Sequence, residues 1–119
     1  MFRSKEMRDR YDECKKSDEF NSGCALCKKD TIQEFRYWRI VLNDFPYDRI
    51  ARVHNMILPI RHIAGDGLNA EEIAELFEIK KKYLRDYDYI IETSNQRRSI
   101  PDHFHLHLIM SKSSLDEES

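Results

Sequence analysis

Residues 103–110 read His-Phe-His-Leu-His-Leu-Ile-Met, with imidazole and apolar side chains in strict alternation from His103 to Leu108. Successive side chains of a β-strand point to opposite faces. His103, His105 and His107 would therefore share one face, and Phe104, Leu106, Leu108 and Met110 the other. A helix would scatter the same residues around its axis, so the segment calls for a sheet with an apolar layer behind it. Three imidazoles about 7 Å apart on one face are costly as mere structure, because each neutral ring needs a partner and the protonated rings repel. Imidazole is also the side chain able to act as acid, base or nucleophile near neutral pH. The other reading is a surface strand with incidental histidines.

The rest of the chain supplies the sheet. Thr31 to Leu42 is rich in β-branched and aromatic residues and reads as one long strand or a hairpin, broken by Asn43-Asp44-Phe45-Pro46. Val53 to Pro59 reads as a further strand, stopped by a proline that cannot donate to a ladder. Tyr87 to Glu92 and His103 to Met110 complete the strands. After a loop with Gly65 and Gly67, Asn69 caps a helix with Glu72 three residues on. Ile73, Leu76, Phe77, Tyr83 and Leu84 form its apolar stripe, and Lys80, Lys81 and Lys82 sit where the helix dipole favours cations. Residues 4–16 place Met7, Tyr11 and Cys14 at helical spacing, as a short amphipathic helix or a solvated arm. The expected fold is α+β, an antiparallel sheet of about five strands with one main helix packed on it. It forms a single domain over 1–119, with an N-terminal arm or helix in 1–20 and a flexible acidic tail in 111–119.

Composition narrows the function. With 119 residues, 20 Lys+Arg and 22 Asp+Glu, the net charge is −2 and no basic block dominates, which argues against affinity drawn from nucleic-acid backbones. No apolar run approaches the roughly 20 residues that cross a bilayer, and the first residues lack an apolar signal centre, so no membrane association and a cytoplasmic location are expected. Three cysteines, with Cys24 and Cys27 spaced C-x-x-C, do not make a disulfide framework. The pair suits a metal knuckle or a thioredoxin-like redox motif; a glycine-containing loop before it, rather than a strand, favours metal. Cys14 packs as a small hydrophobe or remains a free thiol.

His103-Phe104-His105-Leu106-His107-Leu108-Ile109 resembles, at all seven positions, the signature of the histidine-triad (HIT) superfamily of nucleotide hydrolases and nucleotidyl transferases. The likeness extends through Asn43-Asp44-Phe45-Pro46, His54 and Pro59-Ile60-Arg61-His62, and covers about residues 24–110. It implies that His105 attacks the α-phosphorus of a small purine nucleotide conjugate, such as a phosphoramidate, giving a nucleotidyl-histidine that water or another acceptor resolves. One nitrogen of His105 would be held by a backbone carbonyl. His107 would donate to a phosphate oxygen or orient its neighbour. Cys24, Cys27, His62 and His103 follow the chain order of the zinc-bearing members, and two thiolates with two imidazoles form a closed, structural tetrahedral site. The resemblance also implies a homodimer, with Asn43 on the ribose hydroxyls and Asp44 as its substitute, although both residue types also cap turns. His54 would lie near the triad, and Ile40, Leu42 and Ile57 would give the base an apolar slot.

One segment departs from the family pattern. Asn95-Gln96-Arg97-Arg98-Ser99-Ile100-Pro101-Asp102 lacks the glycines and the Gln-Ser or Gln-Thr pair that wrap the phosphates. Asn95 and Ser99 would take the asparagine and hydroxyl roles there, and Arg97 and Arg98 either bind polyphosphate or form a solvated loop. The alternative function is a nucleotide-binding or interaction module that keeps the fold and metal without turnover.

Overall fold

The computed structural model describes residues 2–16, 26–94 and 103–112. Five strands, β1 (Thr31–Glu34), β2 (Trp38–Leu42), β3 (Ala51–Pro59), β4 (Tyr89–Ile91) and β5 (Leu106–Ser111), form one antiparallel sheet in the order β1-β2-β3-β5-β4. Among the described residues two α-helices accompany it, α1 (Lys5–Lys15) and α2 (Ala70–Lys82). This is the expected α+β architecture. None of the described helices is long and apolar enough to cross a membrane.

Thr31 to Leu42 is a hairpin. Its turn is closed by Phe35 N–H donating to the Trp38 carbonyl at 2.7 Å, and Glu75 of α2 accepts from the backbone N–H groups of Arg36 and Tyr37. Beyond β3 the chain passes through α2 and β4 before β5 inserts between β3 and β4. Met56 then faces His107 across one seam and Ile91 faces it across the other. From Leu106 onward the histidine segment thus forms an inner strand, paired on both sides at Leu108 and His107.

β5 begins at Leu106, three residues later than its alternation predicts. β3 ends at Pro59, which has no N–H to continue the ladder, and Phe104 N–H donates instead to the Ile63 carbonyl at 2.8 Å. The alternation of faces survives this departure. Phe104, Leu106 and Leu108 join Trp38, Ile40, Ile57, Leu76, Ile79 and Leu84 in a core beneath α2, with Phe104 edge-on to Trp38. Val41, Met56 and Leu58, at alternate strand positions that point to the other face, form a smaller apolar cluster with Leu26 of the turn before β1. At the far end of β5, Ser111 is buried and donates to Asp88 through its N–H and hydroxyl, so it closes the strand rather than opening a tail. Residues 113–119 of the expected tail lie outside the described residues.

α2 carries the expected capping box. Asn69 Oδ1 accepts from Glu72 N–H at 2.8 Å, and Glu72 Oε1 accepts from Asn69 N–H at 3.0 Å. Its buried face differs from the expected stripe. Leu76, Ile79 and Leu84 are buried, whereas Ile73 and Phe77 are 54% and 67% exposed and Tyr83 is exposed as well. The reason is Glu72, only 1% exposed, whose carboxylate takes two bonds from Arg61 at 2.7 and 3.2 Å. A buried carboxylate is tolerated when fully paired, and pairing here turns the 72/76/79 face toward the sheet. Trp38 Nε1–H donates to the Glu72 carbonyl at 2.8 Å and fixes that rotation.

The N-terminal segment is a helix. Ser4 Oγ accepts from Met7 N–H as its cap, while Ser4 N–H and Oγ–H both donate to Asp48 at 2.6 Å. Tyr11 packs on Phe45 and Arg3 Nε–H donates to the Phe45 carbonyl at 2.7 Å. These contacts dock α1 on the turn between β2 and β3.

Candidate functional site

The face of the sheet opposite α2 collects His54 from β3 and His103, His105 and His107 from β5 and its approach, all four buried. Their hydrogen bonds fix their tautomers. Tyr47 N–H donates to His54 Nδ1 at 2.9 Å, and a backbone N–H can only donate, so neutral His54 carries its proton on Nε2. That nitrogen lies 2.8 Å from His107 Nδ1, which must then accept. His107 Nε2–H in turn donates to the Tyr47 hydroxyl at 3.1 Å. His105 Nδ1 lies 2.9 Å from the His103 carbonyl, which can only accept. Its proton is therefore on Nδ1, and the lone pair of the neutral ring is on Nε2. The His105 and His107 rings meet edge-on with centroids 5.1 Å apart.

Burial favours the neutral form of three of these rings. It lowers the His54 pKa to about 3, helped by the nearby Arg3 and His105, and the His107 pKa to about 2, helped by His54, His105 and Arg3. His103 is also lowered, chiefly by burial, with its bond to Pro59 opposing.

A second constellation adjoins the first through His103. Its Nε2–H donates to the Pro59 carbonyl at 2.9 Å, which turns Nδ1 toward Cys27 Sγ at 3.4 Å. His62 Nδ1 approaches the same sulfur at 3.3 Å, and the three donor atoms lie within 4.8 Å of one another. A tetrahedral ion with metal–sulfur and metal–nitrogen bonds of about 2.3 and 2.0 Å has sulfur–nitrogen edges of about 3.5 Å. The two sulfur–nitrogen separations match such an ion, and the bond to the Pro59 carbonyl is the outer contact that would fix His103 as a ligand.

Charged side chains hold the ligand-bearing segments. Buried Arg39 of β2 donates to the Leu26 and Lys29 carbonyls, both at 2.6 Å, and to Thr31 Oγ1, bracketing the turn that carries Cys27. Arg61, next to His62, is tied to Glu72 and to the Gly67 carbonyl. Cys24, Asn95 and Ser99 lie outside the described residues.

The expected nucleotide residues divide. Asn43 is buried, and its Oδ1 accepts from Phe45 N–H at 2.8 Å, the turn-capping arrangement; its amide nitrogen is 3.3 Å from His54 Nε2. Asp44 pairs with Lys29 at 2.6 Å near the surface. Ile40 and Ile57 lie in the α2 core on the opposite face and Leu42 is exposed, so they line no slot beside the histidines. Apolar residues whose strand positions share the histidine face include Val41, Met56 and Leu58, which pack with Leu26. Tyr47, Thr93, Arg3 and Arg39 were not anticipated. Only Arg39 had a local signal, since its position in β2 shares a face with Val41.

No family model matches the sequence, and no curated protein sequence matches it. Solved structures do resemble it. One, described as a Hit Like Protein, is 20% identical with a TM-score of 0.53, over 71% of this chain and 87% of its own. Another is a HIT family hydrolase from Legionella pneumophila Philadelphia 1, 20% identical with a TM-score of 0.56, over 76% of this chain and 95% of its own. The chain therefore has the histidine-triad fold, and its H-φ-H-φ-H-φ-φ segment leads into and forms an inner strand of that fold.

The neutral histidine pair sets an acid limit on stability. The unfolded chain takes up protons at His54 and His107 below about pH 6.5, whereas the folded chain resists until about pH 3. Stability is therefore fully present above about pH 6.5 and falls as pH drops, by at most about 1.4 kcal/mol per unit for each ring. Urea unfolding followed between about pH 7.5 and 5 is expected to show this decline. An unchanged midpoint would refute it.

Proposed function

We propose that this chain is a nucleotide hydrolase or nucleotidyl transferase that acts at the α-phosphate of a purine nucleotide conjugate, with His105 as nucleophile. The observation that carries the reading is the bond between His105 Nδ1 and the His103 carbonyl, which leaves the reactive lone pair on Nε2. Attack by Nε2 forms a nitrogen–phosphorus bond as the bond from phosphorus to the leaving group breaks. The ring becomes a cationic nucleotidyl-imidazole, and the His103 carbonyl is already placed to accept from its Nδ1–H. Neutral His54 and His107 add no competing positive charge. Water, or another acceptor, then attacks phosphorus, breaks the nitrogen–phosphorus bond, releases the nucleotide and restores His105. The likeness to a protein described as a HIT family hydrolase supports this class of reaction.

Asp44, near the surface, is the proposed ribose contact, with Asn43 shaping the turn beside it. Asn95 and Ser99 are the proposed phosphate contacts, and Leu26, Val41 and Met56 the apolar floor under the base. Zinc is assigned to Cys27, His62 and His103 with Cys24 as fourth ligand; four protein ligands make it structural. A thiolate site and the free thiol of Cys14 suit a reducing cytoplasm. A second copy of the chain is the proposed partner, meeting it through exposed Ile73 and Phe77 of α2 and Tyr89 and Ile90 of β4, an edge of the sheet.

Three outcomes test this reading. An adenosine phosphoramidate labelled at the α-phosphate, quenched in base, is expected to leave label on the wild type but none on His105→Ala, with AMP released only by the former. Absence of label and AMP with nucleotide binding intact would favour the non-catalytic module. Metal analysis is expected to find about one zinc per chain, and Cys27→Ser should lose it and unfold about 10 °C lower; a metal-free wild type of equal stability would end the assignment. Sedimentation is expected at twice the 14.3 kDa chain mass, reverting to the monomer in Phe77→Glu; a monomeric wild type would refute the dimer.

A further inference from the structure

Tyr47 belongs to none of the motifs, yet both ends of it touch the histidine pair. Its backbone N–H donates to His54 Nδ1 at 2.9 Å, and its hydroxyl oxygen accepts from His107 Nε2 at 3.1 Å. Between those contacts His54 Nε2 meets His107 Nδ1 at 2.8 Å. One residue therefore begins and ends a closed ring of hydrogen bonds, and the direction of every bond follows from the single backbone donor that starts it. Reversing either imidazole would set two donors or two acceptors against each other in a buried site, where an unmet polar group is costly.

Tyr47 is itself held from several sides. Its ring lies 4.4 Å from that of His54 and 4.8 Å from that of His107, centroid to centroid. The Arg3 guanidinium lies 4.8 Å from the ring centroid and the Phe2 ring 5.3 Å away. Its hydroxyl also bonds the Thr93 side chain. The N-terminal segment, through Phe2 and Arg3, thus presses this residue onto the histidines. His107 is only 5% exposed, so bulk water gives little replacement for the phenolic acceptor.

We propose that Tyr47 is a positioning residue for the reaction at His105: its hydroxyl locks His107 in the Nε2–H tautomer, edge-on against the nucleophile. The inference rests on the assignment of His105 as nucleophile. It also gives His107 the orienting role, because both of its ring nitrogens are engaged by His54 and Tyr47.

The test is Tyr47→Phe, which keeps the backbone N–H and the aromatic ring and removes only the hydroxyl. Histidine-ring ¹⁵N NMR of the wild type is expected to show His54 and His107 as neutral Nε2–H tautomers, and the variant is expected to show a changed or mixed tautomer at His107. Turnover of the adenosine phosphoramidate should fall about 10- to 100-fold in kcat, the range seen when the hydrogen-bond partner of a functional imidazole is removed, with KM changed less than about threefold. Thr93→Val, which loosens the same hydroxyl, should move both readouts in the same direction by less. A wild-type His107 protonated on Nδ1 overturns the proposal even if neither variant folds. So does a Tyr47→Phe protein with an unaltered tautomer or an unaltered kcat. A wild type with no turnover but with the expected ¹⁵N signature overturns the role of His105 and leaves the tautomer lock standing.

Discussion

His103 is the junction on which the site depends. It is fully buried, and its polar atoms are directed three ways: Nε2–H to the Pro59 carbonyl, Nδ1 toward Cys27, and its backbone carbonyl to His105 Nδ1. Each contact constrains the others. The bond to Pro59 decides which nitrogen is presented to the sulfur, and the same residue's carbonyl decides which nitrogen of His105 is left with a lone pair. A donor atom of the Cys27, His62 and His103 cluster and the proposed nucleophile are therefore coupled through two residues of backbone. The early end of β3 is part of this arrangement. Because Pro59 has no N–H, residues 103–105 leave the ladder, and the Pro59 carbonyl is available to an imidazole instead of a strand partner.

Around that junction, buried charge serves to hold loops in place. Arg39 replaces missing backbone pairing in the turn that carries Cys27 by donating to two of its carbonyls. The Arg61 and Glu72 pair joins the His62 segment to the first turn of α2, and the same carboxylate completes that helix's capping box. Guanidinium suits both tasks because its planar array of donors can satisfy several carbonyl or carboxylate oxygens at once. The histidines are treated in the opposite way. Burial and the proximity of Arg3 keep His54 and His107 uncharged, so the site holds imidazoles as directional donors and acceptors rather than as cations.

The N-terminal helix is anchored beside the histidine pair. α1 has only one buried apolar residue, Tyr11, and its own core contribution is small. Its attachment is instead polar and aromatic, through Ser4 to Asp48, Arg3 to the Phe45 carbonyl and the Tyr47 ring, and Tyr11 to the Phe45 ring. All of these partners lie between β2 and β3, next to the histidine pair.

Much of the fold was legible in the sequence because it rests on short-range rules. Period-two alternation placed Phe104, Leu106 and Leu108 in one core and three histidines on the other face; Pro59 ended its strand; Asn69 and Glu72 capped their helix. These follow from backbone geometry and from neighbours within a few residues. The exposed stripe of Ile73 and Phe77, the late start of β5 and the placement of Ile40 and Ile57 away from the histidines were not legible, because each turns on a partner distant in the chain: Arg61 for Glu72, Ile63 for Phe104, α2 for the two isoleucines. The candidate site divides in the same way. Sequence alone determined which residue types could do chemistry, since an imidazole or thiolate carries its reactivity with it. Tertiary structure alone decided which nitrogen of each ring holds the proton and that Tyr47 and Arg39 belong to the site, because a tautomer is set by the donor or acceptor facing the ring and a hydrogen bond across the sheet leaves no mark on the residues beside it.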